Sequence, residues 1–258
     1  MSSKDLDLGK YINFDIKNRF GIITLNRIHR SNAFTIEQLK FLKRAIEYCQ
    51  NSEMVKGLIL TGAGSSFSTG MDLDFIDGSN HKAVKELEAT AAEICKLLFY
   101  GKPSIAAVNG RCMGEGVVFT LSCDYRIALQ NSYFSMPEIM SGIFPGTGCI
   151  ILMVKQIGIS WAKKMLMFSE RIDSTTALKI GLIDKIVYQQ EDLLTSALKK
   201  VKSLFTKNQA VLNAIKVCSN HLLDKSYLKA STIEKFGSEW FKFEDKEKYL
   251  SKLKEMVE

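Results

Sequence analysis

No two cysteines of this chain form a Cys-x-x-Cys pair and none has a histidine at ligand spacing, so a structural zinc site is not expected. Cys49, Cys95, Cys112, Cys123, Cys149 and Cys218 sit mostly among apolar neighbours, which suits free thiols in a reducing compartment. No run approaches the roughly 18 apolar residues a membrane span needs, and the segment MSSKDLDLGKYINF has no apolar signal core. The sequence EMVE is no peroxisomal tripeptide signal. These absences lead to the expectation of a cytoplasmic protein without a membrane partner. GxGxxG is missing, and no GK[ST] follows a glycine loop, which excludes the common dinucleotide and P-loop cradles.

What is present is an ordinary globular composition: 258 residues, 46% hydrophobic, 24% charged and 10% aromatic. That length buries one large core, or a large domain with a smaller appendage. The net charge of +7 comes largely from late lysines, among them Lys199, Lys200, Lys202, Lys207, Lys216, Lys246, Lys248, Lys252 and Lys254. Their spacing suits the polar sides of helices rather than a basic face interleaved with aromatics, so no nucleic-acid partner is expected.

Tyr11 to Phe14 and Gly21 to Leu25 read as a hairpin. Thr35 with Gln38 three residues on reads as a capping-box start for a helix carrying Leu39, Leu42, Ala45 and Ile46. Strands are expected at Gly57–Thr61, Ser104–Val108, Tyr125–Leu129 and Ile183–Val187, and helices at Val84–Leu98 and from about Gly116. Strands alternating with helices imply right-handed βα units and a largely parallel sheet. From Gly148 the pattern is mostly helical, with Trp161–Phe168, Thr175–Ile180 and a long stretch from Leu193. A soft boundary falls near residue 195, dividing a core of residues 1–195 from a helical region of residues 196–258.

Two loops carry the chemical signal. In Ser66-Phe67-Ser68-Thr69-Gly70-Met71-Asp72-Leu73, Gly70 lets the backbone pass close to a ligand so that the Met71 N–H points into a cavity. In Asn109-Gly110-Arg111-Cys112-Met113-Gly114-Glu115-Gly116, free N–H groups stand at a helix N-terminus, where the dipole favours developing negative charge. Either loop alone is no more than a turn; together they suggest an oxyanion site. Glu138, bracketed by Met136, Pro137 and Ile139, joins them as a general base whose apolar setting raises its pKa.

These segments together resemble the crotonase superfamily, the enoyl-CoA hydratase/isomerase family, over nearly the whole chain. The resemblance rests on Leu25-Asn26-Arg27 with Ser31-Asn32-Ala33, Leu58 to Gly62, Phe67 to Leu73, Lys102-Pro103 to Gly110, Cys123 to Ala128, Pro137-Glu138, and Gly181-Leu182-Ile183. It implies an α/β fold, a spiral of ββα units, with a C-terminal helical region that mediates assembly as a homotrimer or a hexamer made of two trimers. It implies an acyl-CoA or acyl-carrier-protein thioester as substrate, with CoA as part of that substrate and no separate cofactor. The carbonyl-polarising amides fall at Met71 and Glu115. The substrate-contacting stretch falls on Thr69, Gly70, Met71, Asp72, Leu73 and Asp74, with Gly114 opposite; the lysine common at position 74 is aspartate here. Lys248 or Lys252 is placed near the CoA phosphates.

The departures bear on the reaction. Hydratases of the family resemble one another in two glutamates; one matches Glu138, and the other falls on Val118, which transfers no proton. A single base suffices for an allylic 1,3-proton shift. The resemblance therefore favours a Δ3,Δ2-enoyl-CoA isomerase, with hydratase, C–C bond-forming or decarboxylating chemistry, and a non-enzymatic RNA-binding or scaffold role as alternatives. Glu115 stands where the family has glycine, and as a helix-start residue it is expected to lean out of the cavity into solvent.

Overall fold

Asn18 and Arg19 both take positive φ, 49° and 62°, the backbone twist a two-residue hairpin turn demands. They join β1 (Ile12–Lys17) to β2 (Phe20–Leu25), paired antiparallel from Ile12↔Leu25 to Lys17↔Phe20. The structure, a computed structural model, describes residues 7–77, 81–204, 206–208 and 210–220, and positions 248, 251, 252 and 255. After β2 follow α1 (Ile36–Asn51), β3 (Gly57–Gly62), β4 (Ser66–Ser68), α2 (Leu73–Asp77) and α3 (His81–Tyr100). Next come β5 (Ser104–Val108), β6 (Arg111–Met113), α4 (Glu115–Ser122), β7 (Tyr125–Leu129), β8 (Tyr133–Ser135) and α5 (Cys149–Phe168). The order closes with β9 (Ile172–Asp173), α6 (Ser174–Lys179), β10 (Lys185–Val187) and α7 (Gln190–Lys202).

The strands divide between two sheets, ordered β1-β2-β3-β5-β7-β10 and β4-β6-β8-β9. From β3 to α5 each of three turns lays one strand in the large sheet, one in the small sheet, and then helix. From β2 onward the large sheet is parallel, as helical crossovers require. The result is a spiral of ββα units. Ser66–Leu73 and Asn109–Gly116 read as loops in the sequence; the short strands β4 and β6 lie within them, too brief for a period-two pattern to register.

Both faces of the large sheet are covered, which is why its strands read as continuous apolar runs. Ile23, Leu25, Leu58, Leu60, Ala106 and Val108 point into the main core with Phe34, Leu42, Phe67 and Phe119. Their neighbours Phe20, Ile22, Ile59, Ile105, Ala107 and Ile127 point the other way, onto Leu193, Ala197 and Val201 of α7. Residue 195 thus falls inside a helix packed on the sheet. α1 begins as expected, with Thr35 Oγ1 accepting from the Gln38 N–H at 3.4 Å. The Gln38 side chain is buried and does not return the bond, so the cap is one-sided.

Lys216 departs from its expected place on a solvated helix face. It is buried, and its ammonium donates to Asp124 at 2.7 Å and to the carbonyls of Leu98 and Lys102. The same Asp124 oxygen accepts from the Ser104 N–H at 2.8 Å, so Lys216 pins the helix over 210–220 to the start of β5. Most of the region assigned to assembly, including Trp240 and Phe243 to Glu247, lies outside the described residues. Among the described residues, no helix is long and apolar enough to cross a membrane.

Candidate active site

The site is assembled from the outer ends of the spiral's turns. Asn109, directly after β5, accepts from the Gly62 N–H at 3.1 Å and donates to the carbonyls of Gly64 and Ser66. Asn32 donates to Ala63 and Ser66 from the other side. These two buried amides fix the segment leading into Gly70. A side chain at residue 70, whose φ is 87°, would meet the Met113 carbonyl oxygen at 3.1 Å and the Glu115 nitrogen at 3.3 Å. Glycine is required because the two loops touch there.

Met71 forms a bridge with Phe34 in which the Phe34 N–H donates to Gly70 and the Asp72 N–H donates to Phe34. The Met71 N–H therefore points away from Phe34, toward the cavity that Met71 lines. Glu115 opens α4, and as a first-turn residue its N–H has no carbonyl one turn back. Among the described residues neither amide donates to an acceptor within the protein. The contact at Gly70 brings these two unused donors to adjoining walls of one cavity.

That cavity measures about 560 Å3. Thr69, Gly70, Met71, Leu73, Gly114, Glu115 and Glu138 all line it, together with Val118 and the segment Ser141 to Thr147. Glu138 begins a 3-10 turn, Glu138–Ser141, which Gly142 closes with φ 64°. Burial pushes its carboxyl up to about 7, and the buried Oε2 has no hydrogen-bond partner. A buried carboxyl oxygen with no partner, on a residue that lines the cavity, leaves the group free to take up a proton.

Asp72 and Asp74 do not line the cavity. Asp72 is buried against Arg27 and Arg30, and Asp74 pairs with Arg30. Burial alone would raise the Asp72 carboxyl, but the bonds from Arg27 and Arg30 outweigh it and hold the group below the ordinary carboxylate range. Its Oδ1 also accepts from the Phe75 N–H at 3.3 Å. Asp72 thus anchors the loop whose next-door amide is Met71. Lys248 and Lys252 are exposed and lie outside the cavity lining.

Glu115 departs from its expected orientation. Instead of leaning into solvent it is 7% exposed and lines the cavity, with Oε2 taking a hydrogen bond from Thr147 Oγ1 at 3.1 Å and Oε1 facing Cys95 Sγ at 3.8 Å. Burial pushes its carboxyl up to about 8, the Thr147 bond opposing and the neighbouring Glu138 charge adding to the rise. The helix dipole does not draw it outward because α3 and the segment before α5 roof over the start of α4. Cys95 and Thr147, the partners that hold Glu115, lie 20 and 32 residues away in sequence, and no local pattern links them to it.

Residues 15–254 match the family model described as "Enoyl-CoA hydratase/isomerase". The chain belongs to the enoyl-CoA hydratase/isomerase family. It is 31% identical over 220 residues to the crotonyl-CoA hydratase of Syntrophomonas wolfei, spanning 84% of each chain. It is 32% identical over 197 residues to the short-chain-enoyl-CoA hydratase of Clostridium acetobutylicum, spanning 76% of this chain and 75% of that one. The solved structure of Pseudomonas aeruginosa DspI superposes with a TM-score of 0.82 at 25% identity, covering 98% of this chain and 97% of that one. Within this enoyl-CoA hydratase/isomerase chain, Val118 is 1% exposed on the cavity wall and offers no proton. Two further carboxylate side chains line the cavity beside Glu138: Glu115, three residues earlier on the same helix, and Glu88 of α3.

Proposed function

We propose that the protein hydrates the double bond of a 2-enoyl-CoA thioester, and that Glu115 and Glu138 share the proton work. The carrying observation is that both carboxylates line one cavity beside the unused amides of Met71 and Glu115. The preference for isomerase rested on a single carboxylate in the site, and Glu115 removes that premise. The names of the two hydratases cited above support the same reading.

In this mechanism the thioester carbonyl oxygen accepts from the Met71 and Glu115 N–H groups. Glu138 takes a proton from water as the oxygen adds to C3 of the enoyl group. The electron pair of the double bond moves onto the carbonyl oxygen, where the two amides hold the enolate. Glu115, neutral below its pKa of about 8, gives a proton to C2, and the carbonyl reforms. Environments that set two carboxyls at different pKa values divide the acid and base roles between them. The exposed apolar side chains Ile159, Met167 and Phe168 of α5 support burial against another copy, and the assembly proposed is a trimer or a hexamer.

Glu138 acting alone as the base of a 3-enoyl to 2-enoyl shift is the second reading, supported by Val118. The test is turnover of purified protein on 2-enoyl-CoA, 3-enoyl-CoA and malonyl-type thioesters. Formation of 3-hydroxyacyl-CoA from the 2-enoyl substrate supports hydration. Turnover of 3-enoyl-CoA alone transfers the case to isomerisation, and inactivity on all CoA esters overturns both.

A further inference from the structure

Thr147 has one hydroxyl hydrogen and two oxygen neighbours. Its Oγ1 lies 3.1 Å from Glu115 Oε2 and 2.8 Å from the Gly146 carbonyl oxygen. The carbonyl can only accept. When Glu115 is a carboxylic acid, it donates to Thr147 Oγ1 while Thr147 donates to Gly146, and both contacts hold at once. When Glu115 is ionised, the hydroxyl turns and donates to the carboxylate. One side chain thus serves both protonation states without moving a heavy atom.

The backbone shows a second feature of the same residue. Thr147 takes φ 61°, a left-handed conformation that is an outlier for a β-branched side chain. It precedes Gly148, the cap of α5, and stands in the segment that lines the cavity opposite α4. Such strain persists only where surrounding contacts impose it, and it gathers at functional sites. The ionisable groups facing Glu115 are Glu88 and Cys95 from α3 and Glu138 from the Pro-Glu turn. Both carboxylates among them disfavour a charged Glu115, whereas the bond from Thr147, and to a smaller extent the Cys95 thiol, eases its ionisation.

We propose that Thr147 is a positioning residue that accepts from Glu115 in its acid form and donates to it in its base form, holding the carboxyl toward the substrate through both halves of the cycle. This rests on Glu115 acting as the second carboxylate.

Thr147→Gly removes the hydroxyl and relieves the left-handed strain; Thr147→Ser keeps the hydroxyl. Thr147→Gly is expected to melt no lower than wild type, yet to lose about 10- to 100-fold in kcat with KM nearly unchanged, the range for a misplaced proton-transfer group. Its basic pH–rate limb moves upward, because the ionised carboxylate has lost its donor. Thr147→Ser returns kcat and the limb toward wild type. Wild-type kcat and an unmoved limb in Thr147→Gly overturn the proposal, as does a Thr147→Ser enzyme no better than Thr147→Gly. A 13C NMR titration of Glu115 in wild type and Thr147→Gly needs no substrate. A raised titration point in the variant supports Thr147 even if hydration is absent, and an unchanged one overturns it.

Discussion

Gly114 lies directly against Glu138: a Cβ at residue 114 would sit 3.0 Å from Glu138 Oε1. Gly114 also takes φ 53°. Any side chain there pushes the base off its position and strains the backbone that presents the Glu115 amide. Gly114→Ala is expected to lower kcat/KM about 10-fold, since the Cβ moves the base by less than the ~1 Å misplacement that costs about 100-fold. It should lose about 1–3 kcal/mol of stability, because φ 53° with ψ −125° is a conformation that residues other than glycine rarely adopt. Steady-state kinetics with thermal melting separates the two effects.

The two raised carboxyls give stability a pH dependence of definite sign. Both groups ordinarily titrate at 4.5, and burial holds them protonated to about 7 for Glu138 and about 8 for Glu115. Below pH 4.5 both the folded and the unfolded chain carry these two protons, and the contribution of the pair to stability is at its fullest. As pH rises through 4.5 to about 8, the unfolded chain ionises first and the fold loses stability, by up to about 1.4 kcal/mol for each pH unit separating a group's folded and unfolded titration points. Glu115→Gln should therefore melt above wild type at pH 9 and close to it at pH 5. Equal differences at both pH values would count against a buried, protonated Glu115.

Arg27 donates to Asp72 and, at 3.0 Å, to the Ala33 carbonyl. Removing it leaves the buried Asp72 with Arg30 and the Phe75 N–H, both on Oδ1, and nothing on Oδ2. Arg27→Ala is expected to cost about 3 kcal/mol by denaturant unfolding, the scale for breaking a buried pair. KM should rise as well, because Asp72 anchors the loop that carries the Met71 amide. The lowered Asp72 pKa predicts that this contribution is present above pH 4 and fades as pH falls below it.

Asn109→Ala strands the Gly62 N–H and the Gly64 carbonyl, two backbone groups that the side chain now satisfies. About 1–3 kcal/mol should be lost, the scale for one buried donor left without its partner, because water can reach the exposed Gly64 carbonyl. Unfolding measured beside Asn32→Ala, which removes different bonds to the same Ser66 carbonyl, should show the two losses to be coupled rather than additive.

How much of this was readable in sequence depends on the range of the interactions. β5 and β7 were legible to the residue, because a strand buried on both faces is a continuous apolar run. Glu138 was legible too, since its apolar bracket is local. β4, β6, β8 and β9 have two or three residues each, and pairing across the spiral, not propensity, makes them strands. Lys216 and Glu115 were misread for one reason. A charged residue in a polar-looking stretch reads as solvated, and only tertiary neighbours more than 90 residues off for Lys216, or on α3 and before α5 for Glu115, show otherwise. Asp72 reads as a substrate contact by position, whereas its bonds go to Arg27 and Arg30.

The measurement closest to the central claim is kcat for hydration of a short 2-enoyl-CoA by Glu115→Gln beside Glu138→Gln. Two cooperating carboxylates predict that each variant falls by about 100-fold or more at nearly unchanged KM, with the fold intact. A Glu115→Gln enzyme that turns over at the wild-type rate would contradict the account and take Glu115 out of the proton transfers.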